Sequence, residues 1–152
     1  MRKKSRISTI SWFGVLAGGL ADLTASTLLN LPIGVYLLWR LRATAAPAEI
    51  PRLMSQALLE NPPLYLLQLL VGVGSTVLGG YVAARIARRK ELLHGVLAAA
   101  ASFALSGYSI LEGTSGDPLA VQFVLLALTP LFGLLGGWLY RREKAQGLFA
   151  LA

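Results

Sequence analysis

Residues 64–90 read LYLLQLLVGVGSTVLGGYVAARIARRK, an uncharged apolar run that stops at four closely spaced basic side chains. About 20 helical residues cross a hydrocarbon core roughly 30 Å thick, which is the length of the uncharged part, residues 64–84. A basic cluster directly after such a run is typical of the cytoplasmic end of a membrane span. The stretch therefore predicts a transmembrane helix over about 64–84.

Three further apolar runs of similar character occur in the chain. The first, residues 7–39, is longer than one ordinary span, and Pro32 within it removes a backbone donor from the helix. We expect this helix either to continue past Pro32, kinked, to about residue 41, or to end there and leave an interfacial segment. Because a signal-peptide core has only about 7–15 residues, we expect the run to remain as an anchor. The predicted fold is a single-domain, all-α integral membrane bundle with four transmembrane helices, over about 8–31, 64–84, 92–111 and 118–140.

Cap and proline signals mark a fifth, short helix and the start of the last span. In residues 51–60 apolar side chains follow i, i+3, i+4 spacing with polar ones between them, and Pro51 suits the first turn. We expect this interfacial helix to lie on the membrane surface with its apolar face down. For the last span, Asp117 is expected to be the cap and Pro118 the first helical residue.

The basic residues divide unequally between the two sides of the predicted spans. The N-terminal segment, the loop between the second and third spans and the C-terminal segment hold four, four and three of the 14 Lys and Arg residues. The positive-inside rule therefore predicts that the N- and C-termini are cytoplasmic. On that side we expect contacts with anionic lipid from Arg85, Arg88, Arg89, Lys90, Arg141 and Arg142.

Composition excludes several functional classes. The 152 residues include no Cys, which excludes disulfides, thiolate metal sites and Cys nucleophiles. The net charge of +7 comes from clusters that flank apolar runs, whereas a nucleic-acid face needs basic residues spread along a groove or helix. The single His, His94, is expected to be an interfacial, solvated or helix-capping imidazole, since one His cannot hold a conventional metal site. We therefore expect no catalytic residues, no metal, no cofactor and no nucleic-acid partner.

Small residues recur at four-residue spacing in every predicted span. Lipid tails are as apolar as Leu, so membrane helices associate by close packing, which small residues permit. The second span carries two adjoining rows of them, so we expect it to touch more than one neighbour. Packing of the bundle itself is the first interpretation, and an interface with a second copy or another membrane protein is the alternative. The residues expected at helix contacts are Gly14, Gly18, Gly72, Gly79, Gly80, Gly95, Gly133 and Gly137.

A weak internal repeat relates the two halves of the chain. Residues 79–85 match residues 136–142 as Gly-Gly-aromatic-aliphatic-x-x-Arg, and residues 14–17 match residues 95–98 as Gly-Val-Leu-Ala. Both helical hairpins start on the cytoplasmic side, so a duplication would relate them by an axis along the membrane normal. Chance matching between helices rich in Gly and Leu is the alternative.

Asp22 is the residue in the predicted spans that ordinary helix packing explains least well. It lies about 12 residues into the first predicted span, hence about 18 Å along the helix and near the membrane midplane. A carboxylate there costs about 2.5–3.5 kcal/mol, and no intramembrane Lys or Arg is available as a partner. One interpretation is a structural hydrogen-bonded cluster, and the other is a proton- or ligand-binding site at Asp22 and Asn30. The polar neighbours on the same helix are Thr24, Ser26, Thr27 and Asn30.

Residues 79–95, GGYVAARIARRKELLHG, resemble the junction between helices 2 and 3 in a family of small, uncharacterised bacterial four-helix membrane proteins. In that family a Gly-Gly-aromatic-x-Ala-x-Arg stretch leads into a basic turn and then His-Gly. The resemblance extends more loosely over the four-span layout, including an acidic residue in the first helix. It implies a bacterial inner-membrane location, and it implies no activity or ligand.

Two functions of different classes follow from these features. The first hypothesis is a non-enzymatic accessory or scaffold subunit whose Gly-rich faces pack against a second copy or another membrane protein. The alternative is a small proton- or cation-coupled transporter or channel that uses Asp22. Four helices with an acidic residue in the first are similar to the layout of small multidrug-type antiporters, although dual-topology members of that class lack so strong a charge bias.

Overall fold

A computed structural model describes residues 10–42, 46–112 and 117–147. Over these ranges it contains five α-helices and no strand. Four of the helices are long and apolar enough to cross a membrane, which confirms the predicted all-α fold class with four spans and one short helix. The helices are α1 Trp12–Leu41, α2 Ile50–Leu59, α3 Pro62–Ala87, α4 Glu91–Leu111 and α5 Leu119–Ala145.

Local sequence signals account for several helix ends. Ser11 and Asn61 cap α1 and α3, because each side-chain oxygen accepts a hydrogen bond from the backbone N–H three residues later, at 3.3 Å in both cases. The last span starts close to the predicted residue 118, but its predicted cap is wrong by one position. Pro118 is the N-cap of α5 in place of Asp117, and the first helical residue is Leu119.

The first helix continues through Pro32 to Leu41, which is the longer of the two predicted alternatives. Its 30 residues make it about 45 Å long, whereas a hydrocarbon core is about 30 Å thick. The helix must therefore tilt or extend into the headgroup region. Residues 8 and 9, where this span was predicted to start, lie outside the described residues.

The long helices form a ring in the order α1, α3, α5, α4, and α3 also contacts α4 across the ring. Gly14 and Gly18 of α1 adjoin Ala83 and Gly79 of α3, so these two helices run antiparallel. The helix α3 contacts all three other long helices, as its two rows of small residues predicted.

The internal repeat does not correspond to a two-fold arrangement of the helices. An axis that exchanged the α1–α3 hairpin with the α4–α5 hairpin would make the α3–α4 contact equivalent to a contact between α1 and α5. The α3–α4 contact exists, but in the described ranges α1 and α5 do not touch. The helix contacts therefore do not follow the predicted two-fold axis along the membrane normal.

Small side chains fill the interior, and large apolar side chains face outward. Ala83, Ala84, Ala98 and Ala99 are buried between the helices, whereas most of the Leu, Phe and Trp side chains of the spans are exposed. In water such a surface would be unfavourable, but lipid solvates it as well as a protein core would. This distribution is the one expected of a multi-pass membrane protein.

The short helix α2 packs its apolar face on the bundle. Leu58 of α2 is buried against Ile33 and Leu37 of α1, and Met54 packs at the edge of the same cluster. The sequence predicted that this face would lie against lipid, so the prediction has to be corrected. The face covers the C-terminal part of α1 and contacts α3.

Candidate functional site

A cavity of about 280 Å³ lies among the four long helices. It occupies the half of the bundle away from the α3–α4 junction, and about half of its lining residues carry polar side chains. On α1, α3 and α4 these residues stand four or eight positions apart, which places them on one face of each helix. They are Asp22, Ser26 and Asn30 of α1, Gln68 and Thr76 of α3, Ser102 and Ser106 of α4, and Thr129 of α5.

Asp22 lies at the inner end of this cavity and is only 3% exposed. Its Oδ2 accepts a hydrogen bond from the Ser102 hydroxyl of α4 at 2.5 Å, and its Oδ1 lies 3.4 Å from Oγ1 of Thr76 on α3. Three helices therefore meet at one carboxylate. Its hydrogen-bonding partners and the other described residues that line the cavity include no cationic side chain.

The polar neighbours of Asp22 on α1 do not form the cluster that the sequence suggested. Ser26 and Thr27 donate to the Leu23 carbonyl, and Nδ2 of Asn30 donates to the Ser26 carbonyl. Such bonds to the preceding turn are the usual alternative for short polar side chains within a helix. The partners of Asp22 come from other helices, and the spacing of residues within α1 could not reveal them.

The Thr76 hydroxyl allows Asp22 to be either protonated or charged. Thr76 has one hydroxyl hydrogen and two acceptors within reach, the Gly72 carbonyl at 3.2 Å and Asp22 Oδ1 at 3.4 Å. A charged Asp22 can accept this hydrogen. A protonated Asp22 can instead donate to Thr76 Oγ1, which then keeps its bond to Gly72, while Ser102 still donates to Oδ2. The same side chains thus satisfy both states, as proton or cation exchange requires.

On the other side of Asp22, helix backbones are in direct contact. A Cβ atom on Gly18 would lie 2.5 Å from the Gly79 carbonyl oxygen, and one on Gly79 would lie 2.7 Å from the Gly18 carbonyl oxygen. Gly80 and Gly95 meet the Gly133 backbone in the same way. Any larger residue would push the helices apart, which is why small residues stand at such contacts. Close contacts of this kind occur at Gly14, Gly18, Gly79, Gly80, Gly95, Gly133 and Gly137.

Gly72 is the predicted packing residue that the structure does not place at a helix contact. A Cβ atom there would have nothing within 4 Å, and the residue lines the cavity. Its row on α3 runs from the cavity through Thr76 to the packed Gly80, so sequence spacing alone could not separate the two environments. Conversely, Gly136 was not in the predicted packing set, yet its Cβ position meets the Val77 carbonyl of α3.

Side chains tie α3, α4 and α5 together at the basic end of the bundle. Lys144 pairs with Glu91 at 2.9 Å and donates to the Arg88 carbonyl at 3.2 Å, and the Tyr81 hydroxyl donates to Glu143 at 2.7 Å. These contacts bring the α3–α4 junction beside the end of α5. The side chains expected to contact anionic lipid are all exposed there, namely Arg85, Arg88, Arg89, Lys90, Arg141 and Arg142.

His94 is buried at this end, with 1% of its surface exposed. Its Nε2 accepts a hydrogen bond from the backbone N–H of Ser11 at 2.9 Å, and its Nδ1 lies 3.1 Å from the Lys90 carbonyl oxygen. Because Nε2 accepts, the ring hydrogen lies on Nδ1 and points to the Lys90 carbonyl. The solvated alternative for His94 is wrong, and the helix-capping one fits, although the helix that it caps is α1.

The site offers one carboxylate surrounded by hydroxyl and amide groups. Groups of three or more His, Asp or Glu side chains that could hold a metal ion do not occur in residues 10–42, 46–112 and 117–147. The sequence analysis missed five polar residues of the site. Spacing along the helix was a usable signal for four of them, Gln68 and Thr76 on α3 and Ser102 and Ser106 on α4, but not for Thr129. No protein-family model, curated protein or solved structure matches the chain.

Proposed function

We propose that this chain is a small membrane transporter or channel that is coupled to a proton or a monovalent cation through Asp22. The observation that carries the proposal is the position of Asp22 at the inner end of a polar cavity, where it has hydroxyl partners on two other helices. An intramembrane carboxylate is costly, and such residues commonly mark ion pathways and proton relays.

A purely structural role for Asp22 accounts for less of this geometry. On the basic side of Asp22, glycine contacts already hold α1 to α3 and α4 to α5, so the carboxylate is not needed to join the helices there. A structural polar cluster would also need no space beside it, whereas Asp22, although buried, adjoins a cavity of about 280 Å³. Both features favour an exchangeable occupant beside the carboxylate.

We infer a bacterial inner-membrane location with cytoplasmic N- and C-termini. The unequal distribution of Lys and Arg supports this orientation, and so does the exposure of six basic side chains at the end where α5 finishes. Anionic lipids of the cytoplasmic leaflet would contact these side chains. In this orientation the cavity is on the periplasmic side of Asp22, and the glycine contacts close the cytoplasmic side.

An accessory or scaffold subunit is the second candidate. Gly74 and Gly107 favour it, because a Cβ atom at either would meet nothing within 4 Å, and small residues facing outward allow another helix to approach closely. A second copy or another membrane protein would be the partner. We rank this function second because seven of the glycines that suggested it make contacts within the chain itself. Neither candidate function is enzymatic.

Proton flux into liposomes tests the proposal. Wild type, Asp22→Asn and Ser75→Ala would be reconstituted with a pH-sensitive dye inside, and Na⁺, K⁺ and small alkylammonium ions would be offered in turn. Ser75 is a matched control because its hydroxyl is buried and bonds to the Val71 carbonyl of its own helix. We expect cation-dependent flux from wild type and Ser75→Ala and none from Asp22→Asn. Equal flux from Asp22→Asn, or no flux from wild type with any cation, would reject the proposal.

A further inference from the structure

We propose that the cavity at Asp22 binds a small primary ammonium compound, that is, a monovalent organic cation whose nitrogen carries several N–H donors. The inference rests on the proposed function for the location of the site, and it adds the chemical class of the ligand. Three properties of the cavity carry it: its charge, its hydrogen-bonding groups and its shape.

The charge of the cavity suits a single positive charge. Asp22 is the one charged residue among the described residues that line it. Divalent cations in proteins are usually held by several carboxylate and carbonyl oxygens in a tight shell, and one carboxylate does not provide this. A monovalent cation balances the charge of Asp22 without any change in the fold.

The hydroxyl groups near Asp22 present acceptors to the cavity. Each hydroxyl has one hydrogen and two lone pairs, and the hydrogens are already used. Ser26 donates to a carbonyl of its own helix, Thr129 does the same at 2.8 Å, and Ser102 donates to Asp22 itself. The lone pairs that remain can accept from an N–H donor or coordinate a metal ion. An organic cation with N–H groups therefore satisfies this surface, whereas a quaternary ammonium ion does not.

Asn30 adds a further acceptor. It lies two helical turns from Asp22 on α1, on the side away from the glycine contacts. Its Nδ2 donates to the Ser26 carbonyl, and since a carbonyl can only accept, this bond establishes which end of the amide carries the hydrogens. Its Oδ1 is buried and has no donor in the described residues. Asn30 and Gln68 also line a second cavity beneath α2, so the Asn30 side chain borders both cavities.

The shape and the apolar walls of the cavity favour an organic cation over a bare metal ion. A dehydrated metal ion needs oxygen ligands within about 2.6 Å on all sides, and a space of about 280 Å³ is far larger than that shell. Leu23, Leu69, Leu105 and Phe132 line the remainder of the cavity. A short hydrocarbon chain on the ammonium would contact these side chains. Gln68 and Ser106 are also part of the lining and offer donors to a polar substituent on that chain.

Four isomeric ions of formula C4H12N⁺ test whether binding depends on the number of N–H donors. The ions n-butylammonium, diethylammonium, ethyldimethylammonium and tetramethylammonium have the same charge and atoms but three, two, one and no N–H groups. Their dissociation constants for the full-length protein in lipid nanodiscs would be measured by calorimetry at constant ionic strength. We expect n-butylammonium to bind about tenfold or more tightly than tetramethylammonium, with the other two ions between them.

Two variants separate hydrogen bonding from charge. Thr129→Val removes an acceptor while keeping the side-chain shape, and the Thr129 hydroxyl bonds to its own helix and not to Asp22. It should therefore weaken n-butylammonium binding about tenfold and leave tetramethylammonium almost unchanged. Asp22→Asn should abolish the binding of all four ions, and Ser75→Ala should alter none. If Thr129→Val does not fold, the order of affinities of the four isomers for wild type still decides the question.

The outcomes also distinguish this inference from the proposed function. Equal affinity for the four isomers, a reversed order, tighter binding of Na⁺ than of n-butylammonium, or no binding of any isomer would overturn the ligand class. Asp22-dependent proton flux driven by another cation would then leave the proposed function standing. If that flux is absent as well, both are rejected.

Discussion

The Ser102 hydroxyl of α4 donates a hydrogen bond to the Asp22 carboxylate of α1, from a position 80 residues further along the chain. The bond crosses between two helices that begin at the same, basic end of the bundle. With Thr76 of α3 on the other carboxylate oxygen, it makes Asp22 the point where three helices share one polar contact.

We expect the Ser102 bond to contribute measurably to stability. Ser102→Ala leaves a buried carboxylate oxygen without its donor, which should cost about 1–3 kcal/mol. Ser75→Ala is the matched control, because it removes a buried hydroxyl that bonds only within its own helix. Thermal unfolding in detergent compares the two. An equal loss in both variants would show that the bond between helices has no special weight.

The same substitution, Gly to Ala, at Gly80 and at Gly74 tests the close packing of α3, because the first position lies at a helix contact and the second does not. A Cβ atom on Gly80 would collide with the Gly133 backbone, whereas one on Gly74 would meet nothing within 4 Å. Gly80→Ala should therefore destabilise the protein by about 1–3 kcal/mol through overpacking. Gly74→Ala should be neutral or slightly stabilising, because Ala favours helix by about 1 kcal/mol over Gly. Thermal shifts that rank the two variants the other way would contradict the contact.

Gly72→Leu should block function without damaging the fold. The Cβ position of Gly72 opens into the cavity, so the larger side chain would occupy ligand space without pushing helices apart. We expect the unfolding temperature to stay close to that of wild type while cation-dependent proton flux is lost. Loss of stability comparable to that of Gly80→Ala would instead mean that Gly72 is a packing residue after all.

His94 should matter for the structure of the basic end. His94→Phe removes the acceptor for the Ser11 N–H and the ring bond to the Lys90 carbonyl, which keeps its bond from the His94 backbone N–H. The Ser11 N–H would lose its partner, at a cost of about 1–3 kcal/mol. His94→Gln should retain more stability, since its amide can still offer an acceptor to Ser11. The two unfolding temperatures give the comparison, and identical values would rule out a role for these hydrogen bonds.

Reporter fusions test the orientation. A reporter active only in the cytoplasm should give signal when fused after Lys144 and none when inserted within residues 114–116, because most Lys and Arg residues lie on the side of the termini. Signal at both positions would indicate dual topology, and the reverse pattern would place the cavity on the cytoplasmic side.

The sequence by itself determined the number and type of the helices and their approximate bounds. In lipid each span must satisfy its backbone hydrogen bonds internally, so the length and polarity of one segment suffice to predict it. The α3 span illustrates this, since the uncharged run 64–84 alone indicated a helix that the structure has at Pro62–Ala87. Asp22 could likewise be singled out from its depth alone.

Only the tertiary structure decided what each interior residue does. Gly72 and Gly80 share one row on α3, yet one lines a cavity and the other touches the Gly133 backbone. The partners of Asp22 lie 54 and 80 positions away in sequence. Small and hydroxyl-bearing residues suit a packed interface and a polar cavity equally well, because lipid gives no hydrophobic preference between helix faces. Which of the two forms depends on how neighbouring helices approach, and that is a property of the assembled bundle.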